Sequence, residues 1–226
     1  LRSDEHKAVA KEAASRSFTM LKYENAQALA GQKVVVAGSL AQDIRALNSG
    51  WTAKEPIEIQ GTTILDAIQE KAGADNVTYI ETAADVPADL TGVTALAVVG
   101  EKSGTHDPEW GADTLEFPKE QTDLVNALKA AGANVVAVVV MNRAYVMTPV
   151  AEAADSVLLV YRPGVTCGAE AVADALYGET SITGKLPFQI PETMEQVLEQ
   201  REDLPKDIDE PLYEYGFGID VESFGA

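Results

Sequence analysis

Between residues 5 and 21 the apolar positions Ala8, Val9, Ala13, Phe18 and Leu21 are interspersed with Lys7, Lys11, Glu12 and Arg16, and no Gly or Pro interrupts them. This spacing predicts an amphipathic helix, which needs a surface to lie on. From residue 33 the character changes to compact apolar runs at 33–37, 77–80, 95–99, 135–140 and 156–161, the first closed by Gly38. Short, β-branched and unbroken by charge, they predict buried parallel strands. Helical patterns at 63–71, 120–131 and 169–177 lie between the runs, the last two followed by Gly132 and Gly178 as stops. Parallel neighbours need crossovers, and crossovers place helices on both faces of a sheet. The expected fold is therefore α/β, a three-layer α/β/α sandwich with a mostly parallel sheet, formed by residues 1–226 as one domain. Ligands of such sheets meet the loops at the carboxyl ends of strands, here those that start at Gly38, Gly100, Met141 and Arg162. Residues 192–211 are acidic with little β-branched character, which predicts a helix and a loop across the surface.

Composition narrows the classes. A chain of 226 residues, 46% hydrophobic, can bury a sizeable core. The longest apolar run, 133–141 with Asn134 inside it, falls far short of the roughly 20 residues of a membrane helix, so a soluble protein with no membrane partner is expected. Thirty-six acidic against 17 basic side chains give a net charge of −19, which repels phosphate backbones and anionic lipid alike. Nucleic acid is not an expected partner, whereas neutral ligands such as sugars are compatible. The single cysteine, Cys167, cannot form an intramolecular disulfide and does not separate cytoplasm from periplasm. A start at Leu1 without a signal-like segment reads as a fragment of a longer chain.

Gly38, with Ser39 and Asp43 after it, has the position of a phosphate-cradling turn but lacks the full glycine fingerprint, so a tight turn is the plainer reading. With no HExxH, no paired CxxC and only His6 and His106, no metal site is expected, and nothing implies a cofactor. A serine nucleophile elbow is absent too, and the acceptor-like triplet Asn76-Val77-Thr78 carries no weight at the start of a strand. The most unusual segment is 100–118, where Glu101, His106, Asp107, Glu109, Trp110, Asp113 and Glu116 crowd one long loop. Tryptophan stacks on the apolar face of a sugar, and a partly desolvated carboxyl beside it keeps a proton for general acid work. The same residues are also consistent with a solvated acidic loop. Retaining hydrolysis would further require a second carboxyl about 5 to 5.5 Å away.

The order of motifs decides between these readings by resemblance. The segment EHKAVAKEAASRSFTMLKYE at 5–24, KVVVAGSLA at 33–41, NSGWT at 48–52 and GTTILDAI at 61–68 are similar to an entry helix, first strand, "G-G-W-T" and "G-T-T-I-L-x-A-I" segments of family 3 glycoside hydrolases. VVGE at 98–101, LEFPKEQTDLV at 115–125, YRPGVTCGAEAVADALYGETSITGKLPF at 161–188 and YEYGFGI at 213–219 continue the series. Nearly the whole chain resembles the C-terminal sandwich domain of that family of β-glucosidases and exo-β-glucanases.

The resemblance implies an enzyme acting on β-glucosides or oligosaccharides, with this domain joined to an N-terminal (β/α)₈-type barrel that holds an aspartate nucleophile and shares the sugar site. On that reading the chain alone is half an enzyme. The family's acid/base glutamate falls on Glu109, because Asp113 and Leu115 follow at matching spacings. Glu101, His106, Asp107 and Trp110 are then candidates for sugar binding or, for the first three, for the acid itself. Trp51 matches a family tryptophan. Two departures stand out: Glu55 occupies a position where the exoglucanase branch can carry a sugar-stacking tryptophan, and NRAYVM at 142–147 replaces a "G-R-P" turn, keeping only Arg143. They keep open an alternative, a non-catalytic carbohydrate-binding or structural module; a nucleotide-binding domain rests on Gly38 and the sheet class alone.

Overall fold

A computed structural model of the chain describes residues 3–48, 59–101, 114–201, 204 and 206–226. The first helix, α1 (Asp4–Ser17), is capped by Ser3, whose hydroxyl accepts from the His6 amide. It does not run on to Leu21 as the spacing suggests. Phe18 leaves helical geometry, and Thr19–Tyr23 form strand β1 instead. The residues TMLKY carry β-branched and aromatic character that suits a pleated surface, and tertiary pairing with a later strand outweighs the helical spacing.

The remaining strands fall where the apolar runs lie: β2 (Val34–Ala37), β3 (Val77–Ile80), β4 (Thr94–Gly100), β5 (Asn134–Val140) and β6 (Ser156–Leu159). They form one six-stranded sheet in the order β1-β6-β5-β4-β2-β3, parallel throughout except for β1 against β6. One expectation fails in part: β3 lies at the sheet's edge, and only Ile80 of its four residues is buried.

Alternate side chains of each inner strand face opposite layers. Val34, Val36, Leu96, Val98, Val136 and Val138 join the core under α1, α2 (Ile64–Ala72) and, further along the chain, α5 (Gly168–Leu176). Val35, Ala37, Ala95, Ala97, Val135 and Val139 join the core under α3 (Lys119–Ala130) and α4 (Thr148–Ala153). Both faces of the sheet are therefore covered, which is why its strands are apolar without alternation. Helix α2 begins at a reciprocal cap, Thr63 with Asp66. A short α6 (Met194–Glu199) lies in the acidic stretch expected to hold a helix, whereas α4 was not legible from pattern. No helix among the described residues is long and apolar enough to cross a membrane.

The first layer is stapled by charge. Asp174 on α5 pairs with Lys11 of α1 and, at 2.8 Å, with Lys71 of α2, which also reaches Glu179 at 2.5 Å. Burial by itself would raise the Asp174 carboxyl, but hydrogen bonds and attraction from the two ammonium groups outweigh it and hold the group below its ordinary value. A depressed folded pKa contributes stability that is present above the unfolded value and is lost as pH falls through the folded one. Replacement Asp174→Asn is expected to cost about 2 kcal/mol at pH 7. The difference from wild type should shrink as pH drops below about 4. Urea midpoints for both chains across that range check it.

Candidate functional site

Because β2 leads outward to β3 and the chain then returns to β4 on the other side of β2, the winding direction reverses between β2 and β4. Crevices at such reversals, outside the carboxyl ends of the strands, are where ligands of doubly wound sheets sit. At this edge β4 ends in Gly100, and Glu101 follows it. Gly100 has φ +135°, and a Cβ placed there would collide with the Val140 carbonyl of the neighbouring strand. Its amide and carbonyl are both held by the buried Gln121 side chain of α3, at 2.5 and 3.0 Å. Nothing larger than glycine therefore fits the turn that delivers Glu101.

Glu101 is 4% exposed. One carboxylate oxygen accepts from Arg143 Nε at 2.8 Å and lies 2.7 Å from Arg143 Nη2. The other accepts from the Asn142 amide at 3.0 Å and lies 3.2 Å from Arg162 Nη2. Both arginines follow apolar strands, Arg143 after β5 and Arg162 after β6, so three carboxyl ends converge on one charged cluster. Such a buried carboxylate needs these cations, since unpaired charge in a low-dielectric site is costly. Arg143 is the more open of the two and lies over the Tyr145 ring, 5.9 Å from its centroid. Burial and then the nearby Glu101 charge push the Tyr145 hydroxyl up, with the arginines opposing. Phe117 meets the same ring edge-on at 6.3 Å. Leu115 accepts from the Val146 amide at 2.8 Å, which seats the chain that follows residue 113 beside this cluster.

The Gly38 turn has a different character. Gly38 donates its amide to the Ile80 carbonyl at 2.9 Å, so that donor is not turned toward a ligand. A Cβ there would strike the Val98 carbonyl, so the glycine allows close packing of β2 on β4. The adjoining cavity, about 170 Å³, is lined by Ser39, Thr82 and Gln121 together with two carboxylates, Glu81 and Glu120. Acidic walls of this kind disfavour a phosphate, and the tight-turn reading fits the geometry.

Of the residues singled out from sequence, Glu101 stands in the cluster, while Trp51, His106, Asp107, Glu109 and Trp110 lie outside the described residues. Their segments are nonetheless tied by covalent continuity to described ends, Asn48 and Glu101. Sequence reasoning overlooked Arg162 and gave Arg143 no role. The available signal was a charged residue within a few positions of the end of an apolar strand, at the edge where ligands are expected.

The model of the glycosyl hydrolase family 3 C-terminal domain matches residues 18–221. Beta-glucosidase C of Emericella nidulans is 37% identical over 84 residues, which span 37% of this chain and 13% of that protein. A beta-glucosidase from Listeria innocua, solved with glucose, superimposes with a TM-score of 0.81 at 22% identity, over 97% of this chain and 34% of that one. An exo-1,3/1,4-beta-glucanase from a Pseudoalteromonas species gives 0.79 at 26% identity, over 96% of this chain and 29% of that one. The chain thus spans about a third of the length of the solved relatives. With the family model matched over most of its length and the sheet topology shared, the chain belongs to the glycosyl hydrolase family 3 C-terminal domains.

Proposed function

We propose that this domain is one half of a retaining β-glycosidase of the β-glucosidase or exo-β-glucanase type, and that it presents an acid/base group to a sugar bound against a separate barrel domain. The observation that carries the reading is that Asn48 and Glu101, the described residues next in sequence to Trp51 and Glu109, meet at Arg162 at the carboxyl edge of the sheet. In this reading an aspartate of the barrel attacks the anomeric carbon while Glu109 protonates the departing oxygen. Glu109 then takes a proton from water as that water releases the sugar from the aspartate. Trp51 and Trp110 stack on sugar faces, and His106 and Asp107 bond hydroxyls. Glu101 acts through its arginines, since a sugar hydroxyl reaching its oxygens would have to compete with two guanidinium groups. Support also comes from the relatives, which are named as glucosidases and a glucanase and are about three times as long in the solved cases.

The test is hydrolysis of a panel of aryl β-glycosides by the 226-residue chain and by its complete gene product. Activity confined to the complete product is expected. Turnover by the isolated chain overturns the half-enzyme reading, and silence of both favours the binding module, which the Glu55 departure keeps in play.

A further inference from the structure

Among the described residues five large apolar side chains are exposed, and they are not scattered. Val9 lies on α1, while Leu198, Leu204, Tyr215 and Phe217 all belong to the stretch 184–218. That stretch is a strap along the carboxyl edge of the sheet. Strand β1 is antiparallel, so its first residue, Thr19, stands beside Leu159 at the carboxyl end of β6. Gly184 donates its amide to the Phe18 carbonyl there at 3.0 Å, and Phe188 meets Tyr161, the neighbour of Arg162, edge-on at 6.4 Å. Further along, the Glu192 carbonyl accepts from the Thr148 hydroxyl at 2.7 Å. The strap then folds back on itself: Gln196 donates to the Asp209 and Glu210 carbonyls, and Leu186 donates to the Phe217 carbonyl at 2.9 Å. Its exposed rings are held in place. Phe217 stacks on Tyr213 with centroids 5.3 Å apart, Tyr213 packs on the core under α3 and α4, and Lys206 Nζ lies 4.0 Å from the centre of the Tyr215 ring.

We infer that this strap, through Leu198, Tyr215 and Phe217, is the surface on which the barrel domain of the complete protein docks. The inference rests on the proposed glycosidase reading for the existence of that domain, and the observations select the face. Apolar side chains gathered on one stretch of a chain with 36 carboxylates mark a contact surface. Rings already fixed by stacking lose little freedom when they are covered, which makes them efficient anchors. Position decides the occupant. The strap borders the Glu101 cluster through Tyr161 and Arg162, so a domain that shares a sugar site at this edge lies against it. The solved relatives are about three times as long as this chain, which leaves ample mass to cover it. Charge argues against a second copy. Residues 184–218 hold nine acidic and three basic side chains, and a two-fold contact would set one acidic rim on another. The matching face of the barrel is therefore apolar at its centre and basic at its rim.

The experiment is hydroxyl-radical footprinting of the complete gene product, native and in urea, read at Leu198, Tyr215 and Phe217. Docking is expected to slow their oxidation about tenfold or more in the native protein, since anchor side chains are fully desolvated. Rings as open as on the bare domain, where Tyr215 is 46% exposed, would be slowed far less, and that result overturns the inference. Protection should be the same at high and low protein concentration. Protection that fades on dilution assigns the cover to a second copy and also overturns it. In the double variant Tyr215→Ser, Phe217→Ser, the protection of Leu198 should fall about tenfold, because two aromatic anchors are lost. Leu198 protected as before removes the rings from the docking surface. If the double variant does not fold, the native footprint decides alone. Hydrolysis of an aryl β-glucoside by the same preparation separates the two ideas. Protection without hydrolysis keeps the docking surface and removes the glycosidase reading. Hydrolysis with reactive rings keeps that reading and removes the docking surface, and the absence of both removes both.

Discussion

Replacing Glu109 by Gln in the complete enzyme is expected to lower kcat by about 10² to 10⁴ on glucosides with poor leaving groups. Glutamine preserves the shape of the side chain and can still hydrogen-bond a leaving oxygen, but it has no proton to give. Substrates with a dinitrophenyl group depart unprotonated and should form the glycosyl intermediate almost as fast as on wild type. Its breakdown still needs a base to activate water, so a rapid burst of released phenol should precede a slow steady state. A loss spread evenly over all leaving groups, with no burst, would move the assignment off Glu109. Stopped-flow release of the phenol, set beside steady-state rates on an oligosaccharide, distinguishes the patterns.

The second large effect lies at Glu101. Glu101→Leu removes the carboxylate that compensates Arg162, and that cation has no route to water in a site where its side chain is 5% exposed. Breaking a buried pair from one side costs about 3 to 5 kcal/mol, enough to lower a urea midpoint by more than 1 M at ordinary denaturant slopes. Arg143, 32% exposed, can turn toward solvent and adds little to the cost. Adding Arg162→Leu to Glu101→Leu should recover part of the loss by removing a buried charge that has lost the Glu101 carboxylate. Recovery stays incomplete, because the Ala46 and Asn48 carbonyls then lose their donor. A midpoint unmoved by Glu101→Leu would mean that the cluster is solvated and adds nothing to stability.

Those two sites differ in how they could be read from sequence. The strands announced themselves because runs such as VVVA and VVAVVV are buried on both faces and need no partner to be recognised. Strand β1 hid inside a helical spacing, since its identity comes from pairing with residues 156–159, a contact no local window contains. The same limit applied to chemistry. Glu101 and Glu109 stood out as carboxylates in a crowded loop, whereas Arg162 acquires its meaning only when the ends of β4 and β6 and the 44–48 turn are brought together. Charge-lined edges are assembled by topology, and pattern alone reports on one element at a time.

The covering of the sheet's antiparallel edge has a consequence for how the protein is made. Met20 of β1 bridges to Ile219, Tyr23 packs edge-on against Phe224 at 5.6 Å, and the Tyr23 hydroxyl accepts from the Gly225 amide at 2.9 Å. Strand β1, made before the other strands of the sheet, thus waits for β6 and then for residues 219–225 before its apolar side chains are enclosed. At roughly 5–20 residues per second, the interval between Met20 and Ile219 leaving the ribosome is about 10 to 40 s. Throughout it the nascent chain carries an unfinished sheet edge, the surface on which strands of other chains readily add. Slowing synthesis over residues 160–219 should therefore raise the demand for chaperones, while the finished protein gives no sign of that exposure.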